Sequence, residues 1–234
     1  MIASTAGNEP TQPASPRLVP VCARGAERLA ATREEIARHR GTAHSAVCDL
    51  ADEAAVPRYI EDAAAALGGI DILVNNASGF GATDDENGWA VSVSVDLMAT
   101  VRAIRTALPY LEKSGCGVIL NISSISGLRA TPRTPPYAAV KAAVVNYTLT
   151  EAAALARKGI RVNCIAPGSI EFPGGTWERA RLNNPDLYGR ILRSIPFGRL
   201  GKPEEVAQVA LVLCSPLAGW VTGQTIAVDG GQVL

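Results

Sequence analysis

The sequence is poor in the features that mark metalloproteins, nucleic-acid binders and membrane proteins. It has two histidines, His39 and His44, both in a polar stretch, and no Cys/His cluster, so zinc or iron finds no ligand set. Both histidines read as solvated side chains near a helix end. The five cysteines, Cys22, Cys48, Cys116, Cys164 and Cys214, form no CxxC pair, and several sit inside apolar runs. They read as buried free thiols of a reducing compartment. Lys+Arg and Asp+Glu both number 22, so no net field draws nucleic acid or an anionic membrane. No apolar run approaches the roughly 20 residues needed to span a bilayer. The first residues lack the basic-then-apolar order of a secretory signal, and a cytoplasmic location is the expectation.

What is present is enough apolar material for one good core. The chain has 234 residues, 47% of them hydrophobic and 19% charged, which fits one domain spanning 1–234. Short β-branched runs alternate with Ala-rich helical patterns: LVPVC at 18–22, SAVCDL at 45–50, IDILVNN at 70–76, GVILNIS at 117–123 and IRVNCIA at 160–166. Between them lie helical patterns, including one through about Leu111, one from about Tyr137 to Arg157 and one from Pro203 to Leu213. This alternation predicts a parallel sheet with helices on both faces, right-handed crossovers, and ligand groups gathered at the carboxyl ends of the strands. Two segments break the rhythm. The opening carries Pro10, Pro13, Pro16 and Pro20, which forbid a continuous helix. Residues 168–200 mix turn residues with Phe172, Trp177, Arg179, Arg181 and Tyr188, a composition that fits a substrate lid or a partly helical surface excursion.

In TPPYAAVKAAVVNY, Tyr137 and Lys141 are four apart on one helix face. A free tyrosine keeps its proton to a pKa of about 10. A nearby ammonium favours the phenolate and brings the group toward acid–base work. Alone, the pair is common in helices. Its company is what distinguishes it: Ser124, thirteen residues before Tyr137, follows the strand GVILNIS; NNAS follows IDILV; CDL follows SAV; and PG follows IRVNCIA. With these motifs in order, the chain resembles the short-chain dehydrogenase/reductase family over residues 18–234, and is similar to its 3-oxoacyl-[acyl carrier protein] reductases.

The resemblance implies a single-domain, Rossmann-like α/β fold, a doubly wound parallel sheet of seven strands. It also implies hydride transfer between NAD(P)(H) and a carbonyl or alcohol carbon. Tyr137 would be the acid/base, Ser124 would hold the substrate oxygen, and Lys141 would lower the tyrosine pKa and bind the nicotinamide ribose. Asp49 and Leu50 would flank the adenine; Asn75, Asn76 and Ala77 would line the ribose side; Pro167, Gly168 and Ile170 would meet the nicotinamide. Arg24 sits where the family chooses between cofactors. A guanidinium there fits a 2′-phosphate, so NADP(H) is favoured over NAD(H), although a solvated arginine in the turn CARGAER fits as well. The family is commonly tetrameric, so a homo-oligomer, tetramer or dimer, is implied, with a small carbonyl or alcohol substrate and neither nucleic acid nor membrane as partner.

Three departures set this chain apart. No GxxxGxG occurs in residues 1–24, where the family cradles the pyrophosphate; Thr5, Ala6 and Gly7 are the nearest remnant. Residues 1–17 therefore form an atypical Pro-rich N-terminal segment in place of the first strand and helix. Two arrangements are open: MIAST as a short first strand with a non-helical crossover from Ala6 to Pro16, or an altered version of a longer relative with a compromised cofactor site. Asp96 stands twenty-eight residues before Ser124, where the family usually has Asn, and its charge would raise the tyrosine pKa again. Ser78 replaces the glycine of NNAG. Two functions follow: an NADP(H)-preferring ketoreductase using Tyr137, or a catalytically silent relative acting as a binding or assembly subunit. Epimerases and dehydratases sharing YxxxK need a longer chain.

Overall fold

The computed structural model describes residues 2–3, 17–38 and 41–234. Seven strands are described: β1 (Ile2–Ala3), β2 (Arg17–Ala23), β3 (Gly41–Val47), β4 (Ile72–Asn75), β5 (Val118–Ile122), β6 (Arg161–Pro167) and β7 (Thr225–Val228). The helices are α1 (Ala26–Arg38), α2 (Ala55–Leu67), α3 (Glu86–Val91), α4 (Ala99–Ser114), α5 (Pro135–Leu155), α6 (Thr176–Asn183), α7 (Pro185–Arg193) and α8 (Pro203–Cys214), with a π-helix at Ser92–Met98 between α3 and α4. Strands β4 to β7 pair in parallel in that order, and β2 pairs in parallel with β3. Both sheet faces are covered because neighbouring strand residues point to opposite sides. Leu73, Ile119 and Val162 enter a core with α2, α4 and the end of α5. Val74, Leu120 and Ile165 enter a second core with α8.

The slot beside β4 is filled by β1, but in antiparallel register, Ile2 opposite Leu73 and Ala3 opposite Ile72. It also lies against β2, although no ladder joins the two among the described residues. The expected seven-stranded sheet is therefore a five-stranded and a two-stranded sheet meeting at β1. The crossover from Ala6 to Pro16, and with it the Thr5–Gly7 remnant, lies outside the described residues.

Other differences are local. The helical stretch expected through about Leu111 includes the π-helix, in which Ser92 and Asp96 are buried. The 168–200 segment holds α6 and α7. His44 is not solvated at a helix end: it lies on β3, half-buried, its ring stacked 6.4 Å from that of Tyr59 on α2, while His39 lies outside the described residues. Cys48 and Cys164 are buried as expected, Cys22 and Cys214 only partly, and Cys116 is exposed.

Helix α5 starts on Pro135 and Pro136, whose fixed φ suits the first turn. It buries a stripe at helical spacing, Lys141, Val144, Thr148, Ala152 and Leu155, so the residue four before Lys141, Tyr137, sits on the line that faces the sheet. The turn after Ser124 packs on this helix through Gly127, where an added Cβ would stand 2.6 Å from the carbonyl carbon of Lys141 and 2.7 Å from the nitrogen of Ala142. Backbone cannot yield as a side chain can. Gly127→Ala is expected to cost about 1–3 kcal/mol in urea unfolding, whereas Gly189→Ala, inside α7 where a Cβ meets only the tip of the Arg193 side chain at 3.3 Å, should cost nothing.

Candidate active site

The carboxyl end of β5 delivers Ser124, which starts a short 3-10 turn, Ile125–Gly127, and caps it by accepting a hydrogen bond from Ser126 N–H at 3.1 Å. Ser124 is nine-tenths buried, and its hydroxyl is near enough to the Tyr137 phenol to lower the tyrosine's pKa. Next door, Ser123 Oγ donates to the Lys141 carbonyl at 2.8 Å, which fixes the turn of α5 carrying the lysine. The Lys141 ammonium donates to Ile122 O at 3.0 Å and lies 5.5 Å from the centroid of the Tyr137 ring. Three of the four expected catalytic groups are thus drawn together by β5 and α5.

Asp96 completes the group from the π-helix. Its side chain is fully buried, with Oδ1 3.1 Å from Lys141 Nζ and Oδ2 accepting from Gly79 N–H at 2.9 Å. A carboxylate can serve both partners because both its oxygens accept; an asparagine has one accepting oxygen and would turn an NH₂ toward the ammonium or the amide. Asp96 therefore ties the lysine to the loop after β4. In that loop Phe80 holds a positive φ of 50°, uncommon for a bulky residue, and its N–H donates to Ser78 Oγ at 3.1 Å. Its ring meets the Tyr137 ring edge-on, centroids 4.9 Å apart at 67°.

These surroundings raise the Tyr137 pKa above its ordinary value. Burial contributes most, the Asp96 charge adds to it, and the Ser124 hydrogen bond works the other way.

The expected cofactor residues fall in three places. Asn75 ends β4 and donates to Asn121 Oδ1 at 2.9 Å; Asn121 donates in turn to Thr148 Oγ on α5, also at 2.9 Å. Asn76 and Ala77 are exposed beyond it, with Asp49 exposed past β3, Leu50 half-buried against the first core, and Arg24 exposed past β2. Pro167 ends β6; Gly168 N–H donates to Val228 O at 3.0 Å, and a Cβ there would stand 2.6 Å from that of Asp229. Ile170 bridges to Gly201. Among the described residues no direct hydrogen bond or ion pair joins Arg24, Asp49, Leu50 or Ile170 to the Ser–Tyr–Lys group. Phe80, Asn121 and Thr148 were not expected: Phe80 matters through a left-handed turn, and the other two only through partners 46 and 27 residues away.

The charged groups of residues 168–200 are mostly tied within that segment. Arg181 Nε lies 3.0 Å from Glu171 Oε1, Tyr188 donates to Glu171 Oε2 at 3.3 Å, and Arg179 donates to Gly174 O at 2.9 Å. They brace α6 and α7 against the segment after β6.

The family model described as enoyl-(acyl carrier protein) reductase matches residues 18–232. The 3-oxoacyl-[acyl-carrier-protein] reductase FabG of Thermotoga maritima is 40% identical over 197 residues, covering 80% of this chain and 76% of that protein. Two solved structures superpose on the fold. An NADPH-bound short chain oxidoreductase of Pseudomonas aeruginosa PAO1 with an atypical catalytic center has a TM-score of 0.81 at 32% identity, covering 92% of this chain and 86% of that one. NAD⁺-bound xylitol dehydrogenase has a TM-score of 0.85 at 26% identity, covering 92% and 88%.

Because Asp96 and Lys141 neutralise each other in the interior, removing one leaves a buried charge. Lys141→Met is expected to lose about 3–5 kcal/mol of stability. The double variant Lys141→Met, Asp96→Leu should recover most of that loss in the same denaturant titration.

Proposed function

The chain belongs to the short-chain dehydrogenase/reductase family, and on that premise we propose that it interconverts a ketone and a secondary alcohol with a nicotinamide cofactor, Tyr137 acting as acid and base. The observation that carries this reading is the grouping of buried Ser124 and Lys141 with half-buried Tyr137 at the carboxyl end of the sheet. In reduction the substrate oxygen would accept hydrogen bonds from Ser124 Oγ and Tyr137 OH. Both groups meet charge that appears only as the carbonyl becomes an alkoxide, so they favour the transition state over the ground state. Tyr137 then gives its proton to that oxygen, and in oxidation takes it back. Lys141 holds the phenolate form within reach, and Asp96 sets how far.

The described residues fit the cofactor at both ends. Asp49, Asn76 and Ala77, exposed past the strands, would meet the adenosine half, while Lys141, Pro167, Gly168 and Ile170 would flank the nicotinamide half. When bound, the cofactor would supply the hydride. Arg24, exposed past β2 with no acidic residue in its place, supports NADP(H) over NAD(H). Trp220 and Leu217 stand fully exposed after α8, and Leu149 half-exposed on α5, which supports a homo-oligomer whose size light scattering would give. The carbonyl substrate is small; the Arg181–Glu171 tie leaves the lid's apolar side chains, Phe172 among them, to contact it.

Titrating the protein with NADPH and NADH, and following NADPH oxidation with ethyl acetoacetate, tests the reading. NADPH should bind more tightly than NADH, and Tyr137→Phe should keep NADPH binding while losing about 10²–10⁴-fold in kcat. Absence of NADPH binding at millimolar concentration would favour the silent, subunit-like alternative.

A further inference from the structure

Gln232 sits in the turn after β7 and is only 4% exposed, yet its polar atoms reach three different site-forming segments. Side-chain Oε1 accepts from Ser169 N–H at 3.0 Å, in the segment Pro167–Ile170. Side-chain Nε2 donates to Ser194 Oγ at 3.3 Å, and Ser194 is the C-cap of α7, where the lid helices end. Its backbone carbonyl accepts from Arg129 Nη1 at 2.7 Å, on the loop that follows Ser124. The turn is itself held: the Asp229 carboxylate accepts from Gly231 N–H and Val233 N–H, each at 2.9 Å, and Gly168 packs on Asp229. Ser194 Oγ can accept from Gln232 because its own proton goes to Ile191 O at 2.7 Å.

We propose that Gln232 is a positioning residue that sets the cofactor-side loop and the lid independently, its amide oxygen holding Ser169 and its amide NH₂ holding Ser194. An amide is the side chain that suits this place, since one end accepts and the other donates. A buried acceptor or donor left unpaired on either side would release that segment alone. The cofactor-side and substrate-side assignments rest on the ketoreductase reading; the two separate restraints do not.

Two readouts on the full chain test it, with Gln232→Glu and Ser194→Ala as lid-side variants and Gln232→Leu removing both ties. In hydrogen–deuterium exchange, Gln232→Glu and Ser194→Ala should speed exchange in residues 185–195 and leave 168–172 unchanged, and Gln232→Leu should speed both. In kinetics with NADPH and ethyl acetoacetate, the two lid-side variants should raise the ketone KM about three- to tenfold with NADPH affinity unchanged, and Gln232→Leu should weaken both. Equal changes in both segments for all three variants, or none in any, would overturn the proposal. If the wild-type chain binds no NADPH, the ketoreductase reading fails and the exchange pattern alone decides the role of Gln232. Should Gln232→Leu not fold, the two lid-side variants decide it in the same way.

Discussion

The Lys141 ammonium and the Asp96 carboxylate lie 3.1 Å apart, both removed from water, and the site is arranged around that pair. A buried charge without a partner is among the costliest things a protein interior can hold. Two elements that need not otherwise agree, α5 and the π-helix, are thereby held in register. The second oxygen of Asp96 extends the constraint to Gly79 and so to the loop that lays Phe80 on Tyr137. One carboxylate thus fixes the position of the lysine, the wall beside the tyrosine, and part of the field that sets the tyrosine's proton affinity.

That arrangement opposes itself chemically. An ammonium near a phenol favours the phenolate, and a carboxylate paired with that ammonium opposes it. With burial also acting on the phenol, Tyr137 keeps its proton more firmly than a free tyrosine. A tyrosine of this kind is protonated at neutral pH but gives its proton up less readily than a free phenol does. The balance changes when a ligand displaces water and adds its own groups, but the Asp96 contribution stays because the carboxylate is locked by two partners.

The parts of this molecule that were legible in its sequence are those set by short-range order. The apolar runs of β4, β5 and β6 mark the sheet, the stripe of α5 aligns Tyr137 with Lys141, and Ser124 follows closely on a strand, so residue order alone points the three groups to the carboxyl end of the sheet. What sequence order could not give depends on distant meetings. The antiparallel direction of β1 is a matter of pairing with β4, not of composition. Gln232 meets Ser169 across 63 residues, and the dual role of Asp96 needs a π-turn and a left-handed phenylalanine that no local pattern announces. The carboxylate partners of Arg181, Glu171 and Glu178, likewise became visible only once the chain was folded.

The proton affinity of Tyr137 turns on the field that Asp96 exerts there. The direct measurement is the tyrosinate absorbance of the full protein across alkaline pH, with the Tyr137→Phe variant subtracted to isolate one phenol, compared between wild type and Asp96→Asn. Removing the charge should move the Tyr137 midpoint to lower pH. A midpoint that stays in place or moves upward in Asp96→Asn would contradict the account.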